Sequence, residues 1–92
     1  MEKTIWKFEI QITYKQHIKM PKGAEILSVQ VQNGIPYLWA LVDPDAEIEE
    51  RCIEVFGIGN PIQQFSDTQR KYVGTFQMHF GKLVWHLFER LY

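Results

Sequence analysis

The sequence predicts an all-β domain spanning residues 1–92, built as a small antiparallel sandwich or a partly open barrel of six to seven strands. Short stretches of alternating apolar and polar residues recur along the chain, separated by turn dipeptides at hairpin spacing. No window of helical periodicity is longer than one turn. The alternative left open is a sheet that carries one short helix between Asp43 and Glu50.

The first strand is predicted over residues 6–14, where every second residue is apolar. A shorter extended stretch over residues 17–20 follows it. The chain then turns at Pro21-Lys22-Gly23, because proline presets one turn dihedral and glycine relieves another.

The dipeptide Asn33-Gly34 predicts a two-residue type I′ hairpin in the middle of the chain. Opposed residues then have numbers that sum to 67, which makes one face of the hairpin apolar on both strands. The pairs on that face are Val31 with Pro36, Val29 with Leu38 and Leu27 with Ala40. Pro36 falls at a non-hydrogen-bonded pair, where its missing N–H costs little.

The opposite face of this hairpin is the predicted binding site. The register sets Tyr37 opposite Gln30, Trp39 opposite Ser28 and Leu41 opposite Ile26. Two amphipathic rings beside small polar groups are typical of an interface, since Trp and Tyr supply much binding energy at low entropic cost. The alternative is that another layer of the same chain covers this face.

The rest of the chain continues the β pattern. A strand is predicted over residues 51–58 and a polar loop over residues 60–69. A last hairpin joins residues 72–80 to residues 83–91 around Gly81-Lys82, with opposed numbers that sum to 163. Its predicted apolar pairs are Phe80 with Leu83, Met78 with Trp85 and Phe76 with Leu87.

The sequence predicts no catalytic residue, no cofactor and no metal ion. Cys52, Ser28 and Ser66 lie in no nucleophile motif. Two metal sites stay open as alternatives. One is the acidic loop from Asp43 to Glu50, which lacks the glycine and glutamate of a calcium loop. The other is the pair His79 and His86, predicted as diagonal neighbours on one hairpin and expected to be ordinary surface histidines.

Composition limits the class of partner and the compartment. Ten Lys and Arg against eleven Asp and Glu give a net charge of -1, so strong nucleic-acid binding is not expected. Cys52 is the single cysteine, which excludes an intramolecular disulfide and favours a reducing compartment. No run approaches the ~20 apolar residues that span a bilayer. We therefore expect a cytoplasmic protein without a membrane partner.

Several segments resemble a family of small uncharacterised phage and prophage proteins. They are Lys3-Thr4-Ile5-Trp6-Lys7-Phe8, the stretch from Met20 to Gly34, Leu38-Trp39-Ala40-Leu41-Val42-Asp43, Tyr72-Val73-Gly74-Thr75-Phe76 and His86-Leu87-Phe88-Glu89. The resemblance covers nearly the whole chain, except the loop over residues 61–69. It implies a phage or prophage origin, in the cytoplasm of the host cell, and supplies no functional residues.

These observations favour a non-enzymatic accessory protein that binds a host or phage protein, for instance to inhibit a bacterial defence or regulatory complex. One alternative is a protein that sequesters a nucleotide signal, with Tyr37, Trp39 or Trp85 stacking on the base. Another is a minor structural protein of the phage. We also expect that the protein can form a homo-oligomer. Both terminal segments are predicted strands, and the unpaired edge of such a strand can pair with the same strand of a second copy of the chain.

Overall fold

A computed structural model describes residues 2–91, which form seven antiparallel strands in two sheets and no helix. The strands are β1 (Thr4–Glu9), β2 (Lys15–Pro21), β3 (Glu25–Gln32), β4 (Ile35–Val42), β5 (Ile48–Gly57), β6 (Arg70–Met78) and β7 (Leu83–Arg90). The all-β prediction is confirmed. The alternative of a short helix before residue 50 is wrong, because Asp43 to Glu47 form a turn and β5 begins at Ile48. Nowhere in the described chain is there a helix that could cross a membrane.

The two sheets make an open sandwich around one apolar core. The first sheet has the order β1-β4-β3, and the second has the order β2-β5-β7-β6. Side chains from both sheets form the buried cluster, which consists of Ile10, Met20, Ala24, Val29, Leu38, Ala40, Val42, Ile53, Val55, Phe76 and Leu87. β3 approaches β6 at Gly74, where an added Cβ would lie 3.0 Å from Val29 Cγ1.

The single strand predicted over residues 6–14 is wrong, because this stretch crosses from one sheet to the other. β1 ends at Glu9, and β2 starts at Lys15 in the second sheet. Ile10 is buried in the core, and Tyr14 packs edge-on against Phe56 of β5 with ring centroids 5.3 Å apart. Apolar residues are needed at both ends of this crossing, because Ile10 and Tyr14 both pack against other apolar side chains. The apolar–polar alternation of the sequence therefore continues through the segment that leaves the first sheet.

The central hairpin turns at Asn33 and Gly34, as predicted. Their φ angles are 54° and 79°, the left-handed values of a type I′ turn. Opposed numbers sum to 67 from the Gln32–Ile35 pair to the Ser28–Trp39 pair. Beyond Ser28 a β-bulge shifts the register, so the predicted pairs of Leu27 with Ala40 and Ile26 with Leu41 are wrong. Ala40 instead faces Ile26, and Leu27 is the unpaired residue of the bulge.

The hydrogen bonding around Pro36 agrees with its predicted position. Ile10 N–H donates to the Pro36 carbonyl at 3.0 Å, on the side of β4 that faces β1. The backbone of Pro36 therefore points away from β3, and the Val31–Pro36 pair needs no N–H from the proline.

The last hairpin forms with a register two residues away from the predicted one. Met78 faces Leu83 and Phe76 faces Trp85, so opposed numbers sum to 161 rather than 163. The connection spans residues 79–82, with His79, Phe80 and Gly81 all at positive φ. A shift of two residues keeps every side chain on its face of the sheet, so the apolar pattern is equally compatible with both registers.

The second sheet holds two clusters of ion pairs with little access to solvent. Glu54 is fully buried, and its carboxylate accepts from Arg70 Nε at 2.6 Å and lies 3.5 Å from Arg90 Nη1. Arg51 donates to both oxygens of Glu89 and to the Ala24 carbonyl. The hydrogen bond to Glu89 raises the pKa of Arg51 above its usual value.

Candidate functional site

The five predicted binding residues lie on the outer face of the first sheet. On β4, Leu38, Ala40 and Val42 point inward with no exposed area, and the residues between them are half-buried on the other side. The flanking strands leave their outward side chains open: Ile5 of β1 is 56% exposed, and Gln30 of β3 is exposed. We call this surface the aromatic face, and it consists of Ile5, Lys7, Ser28, Gln30, Tyr37, Trp39 and Leu41.

The two rings of the aromatic face contact each other beneath a lysine. The Tyr37 and Trp39 centroids are 6.2 Å apart with the rings inclined at 61°. Lys7 faces Trp39 across the β1–β4 pair, and its Nζ lies 4.3 Å from the Tyr37 centroid and 5.7 Å from the Trp39 centroid. The same ammonium donates to Gln32 Oε1 at 2.7 Å. The centre of the face is thus an aromatic pair with one cation above it.

The indole nitrogen of Trp39 has no hydrogen-bond partner within residues 2–91 and is shielded from solvent. A buried donor left without an acceptor costs about 1–3 kcal/mol. Trp39 therefore occupies this position at a free-energy cost that a phenylalanine would avoid.

The structure confirms two of the three cross-strand pairs predicted for this site. Tyr37 faces Gln30 and Trp39 faces Ser28. Leu41 faces Glu25 rather than Ile26, because the bulge at Leu27 moves β3 by one residue. A carboxylate therefore lies at that end of the face.

Sequence reasoning missed the contribution of β1 to the aromatic face. Ile5 faces Leu41, and Lys7 faces Trp39. The alternation in β1 already separates Ile5 and Lys7 from the apolar residues Trp6 and Phe8. No turn signal links β1 to β4, however, so the sequence offers no means of choosing β1 as the neighbour.

The two candidate metal sites do not assemble. His79 lies in the connection of the last hairpin, outside both strands, and His86 faces Thr75 rather than Gln77, with Nδ1 3.0 Å from Thr75 Oγ1. The predicted diagonal arrangement of the two histidines is wrong because of the register shift. Across residues 2–91 no three His, Cys, Asp or Glu side chains are grouped so that they could hold a metal ion.

The acidic residues that follow β4 stabilise turns. Asp43 Oδ1 accepts from the backbone N–H of Asp45 at 3.0 Å, and Glu49 Oε2 accepts from that of Gly23 at 3.0 Å. Glu49 also lies 3.6 Å from Arg51. These carboxylates are therefore engaged with backbone donors and a guanidinium.

Cys52 is half-buried on β5, between His17 of β2 and Arg90 of β7. Burial raises the pKa of its thiol, so the protonated form dominates at neutral pH. This environment disfavours the thiolate that a nucleophile requires.

A second exposed apolar feature, missed by sequence reasoning, lies where the tips of the two hairpins meet. A hollow of about 540 Å³ is lined there by Val31, Gly34, Met78 and Phe80. The Phe80 side chain is fully exposed and its φ is 55°. The predicted register puts Phe80 in a strand opposite Leu83, where neither property would arise.

A smaller hollow of about 320 Å³ lies beside Trp85, with Lys82 and Asn60 also on its wall. An added Cβ on Gly57 would lie 3.2 Å from the Trp85 ring, so the six-membered ring of the indole packs close to that glycine. The Trp85 indole nitrogen also lacks a partner within the described residues.

The chain belongs to the DUF7352 family, which is described as a domain of unknown function and which matches residues 1–91. No curated protein matches the chain, and no solved structure does.

Proposed function

We propose that this member of the DUF7352 family is a non-catalytic protein-binding domain whose contact surface is the aromatic face. The observation that carries the proposal is the pairing of Tyr37 and Trp39, side by side on a sheet face that has open flanks. Large rings held in one conformation lose little entropy on binding and bury a large apolar area.

The surroundings of the two rings match the anatomy of an interface. Leu41 and Ile5 extend the apolar centre, and Ser28 and Gln30 form a polar margin on the β3 side. Lys7 and Glu25 place opposite charges at different points of the surface. Such a pattern favours a partner with an apolar centre and a polar rim, oriented by charge.

The resemblance to phage and prophage proteins supports a partner from a bacterial host or from a phage. Within the proposal the protein acts in the host cytoplasm and inhibits a bacterial defence or regulatory complex by occupying one of its surfaces. A minor structural role in the virion would use the same face against another phage protein.

A nucleotide ligand is the second candidate, and the hollow beside Trp85 favours it. An indole and the ammonium of Lys82 on one wall could hold a base and a phosphate. On this proposal, a panel of nucleotides would raise the melting temperature of the wild-type protein and not that of Lys82→Ala. Unchanged melting temperatures across the panel would exclude a nucleotide ligand.

The first experiment for the protein-binding proposal is affinity capture from bacterial lysate with the tagged full chain, followed by mass spectrometry. Wild type and Trp39→Ala are compared with Phe65→Ala, which removes an aromatic ring that is 61% exposed in the loop after β5. We expect a stoichiometric protein with wild type and Phe65→Ala and its loss with Trp39→Ala. Equal capture by all three chains would exclude the aromatic face as the contact surface.

A further inference from the structure

β1 leaves one edge of the first sheet unpaired. Within residues 2–91 this strand pairs with β4 only. Thr4, Ile5, Trp6, Lys7 and Glu9 are all exposed. An exposed edge is a template for pairing with another strand.

The hydrogen bond between Ile10 and Pro36 shows which backbone groups of β1 face outward. Ile10 N–H donates to β4, so in an antiparallel ladder the residues at even positions direct their N–H and C=O groups toward β4. The residues at odd positions, Ile5, Lys7 and Glu9, direct theirs toward the open edge.

The side chains of β1 are suited to a contact of this kind. Trp6 is 38% exposed and lies outside the core cluster, with Phe8 as its ring neighbour at 6.4 Å. Ile5 on the other face is 56% exposed. The edge strand therefore carries exposed apolar side chains on both of its faces, next to the charges of Lys7 and Glu9.

We infer that β1 pairs with β1 of a second copy of this chain, antiparallel and about a two-fold axis at Trp6. In this register opposed residue numbers sum to 12, so the outward groups of Ile5 bond those of Lys7 in the other copy. The two Trp6 side chains meet at a non-hydrogen-bonded pair.

Charge selects this register among its neighbours. At a sum of 12, Lys3 of one copy faces Glu9 of the other, twice in the symmetric pair. At a sum of 14, Lys7 faces its own copy, and at a sum of 10, Lys3 faces Lys7, so both neighbouring registers oppose like charges. A sum of 16 pairs only residues 7–9 within the strand.

The dimer would join the first sheets of two copies into one six-stranded sheet. A two-fold axis perpendicular to that sheet places both aromatic faces on the same side. The inference stands on the β1 edge and does not depend on the proposed function, although Ile5 and Lys7 belong to both surfaces.

Sedimentation equilibrium of the full chain, up to about 0.5 mM, measures whether a dimer with micromolar affinity forms. Lys3→Glu and Glu9→Lys each turn two opposite-charge pairs into like-charge pairs, and we expect each to weaken the dimer about tenfold. The double variant Lys3→Glu/Glu9→Lys restores the opposite charges, so we expect it to dimerise as wild type does. A monomer at every concentration, or a double variant as weak as the single ones, would overturn the inference.

A cysteine probe tests the register separately. In a Cys52→Ser background, Trp6→Cys places two thiols at a non-hydrogen-bonded pair, where the Cα separation of ~4.5 Å allows a disulfide. Thr4→Cys is the matched control. In this register residue 4 faces residue 8 of the second copy, so the two introduced thiols are four residues apart along the strand. We expect oxidation to cross-link Trp6→Cys and to leave Thr4→Cys monomeric. Cross-linking of the control alone or of both variants equally would contradict this pairing.

Discussion

Phe80 lies in a backbone conformation that lowers the stability of the folded chain. It follows His79 in the connection of the last hairpin, and both have φ values near 54°, where a side chain with a Cβ is disfavoured by about 1–2 kcal/mol. Its ring is fully exposed, so packing does not offset the backbone strain. Phe80 therefore carries backbone strain that no packing within the described residues offsets.

Replacing Phe80 by asparagine tests this interpretation. Asparagine tolerates the left-handed region, so we expect Phe80→Asn to raise the stability by about 1 kcal/mol and the melting temperature by about 4–8 °C. Phe80→Val is the matched variant. Valine is β-branched and disfavours positive φ, so we expect this variant to lower the melting temperature. A melting temperature that falls with asparagine would show that the ring packs in the folded state.

Residue-scale chemistry predicts one of the two hairpin connections and not the other. Asn33-Gly34 form a two-residue turn because both of these residues accept positive φ. In the last hairpin, Gly81 is the third consecutive left-handed residue of a four-residue connection rather than the first of two. His79 and Phe80 have no intrinsic preference for that conformation, so the sequence contains no signal for the longer loop.

At the scale of the strands, the buried charges are the main feature that alternation conceals. Glu54 lies between Ile53 and Val55 on β5, so alternation sets it on the opposite face of the strand, where a carboxylate is expected to be exposed. It is instead fully buried beside Arg70 of β6, whose side chain is 6% exposed, and Arg90 of β7. Residues from three different strands meet there, which periodicity within one strand cannot indicate.

We expect Arg70→Met to lower the free energy of unfolding by about 3–5 kcal/mol, because it leaves Glu54 buried with one cation fewer. The double variant Arg70→Met/Glu54→Leu removes both charges and should regain most of the loss. Urea denaturation of the two variants and wild type measures the difference. A double variant less stable than Arg70→Met would contradict this account, because it would show that Glu54 stabilises the fold without Arg70.

Gly74 controls how closely the two sheets approach at their β3 and β6 edges. A methyl group at this position would lie 3.0 Å from Val29 Cγ1, in a part of the core with little room. We expect Gly74→Ala to reduce stability by about 1–3 kcal/mol. Gln77→Ala, an exposed site on the same strand, is the control and should change it by less than about 0.5 kcal/mol. Equal stabilities of the two variants would mean that β3 and β6 can separate at no cost.

At the scale of the whole molecule, local pairing was predictable and distant pairing was not. The β3–β4 hairpin follows from its turn, and with it Tyr37, Trp39, Gln30 and Ser28 are placed together. The β1–β4 and β2–β5 pairs join segments separated by long stretches of chain, and no turn chemistry encodes them. Because the β1–β4 pairing is not encoded by a turn, only the folded structure shows that Lys7 belongs to the aromatic face.

The central claim is that the aromatic face binds a protein partner, and Trp39 is the residue on which it depends most. Isothermal titration of the captured partner with wild type, Trp39→Ala, Trp39→Phe and Phe65→Ala measures it directly. We predict that Trp39→Ala weakens binding at least about 30-fold, which corresponds to a loss of about 2 kcal/mol at an interface hot spot. Trp39→Phe should keep the fold and most of the affinity, and Phe65→Ala should bind as wild type does. An unchanged affinity for a folded Trp39→Ala variant would contradict the claim.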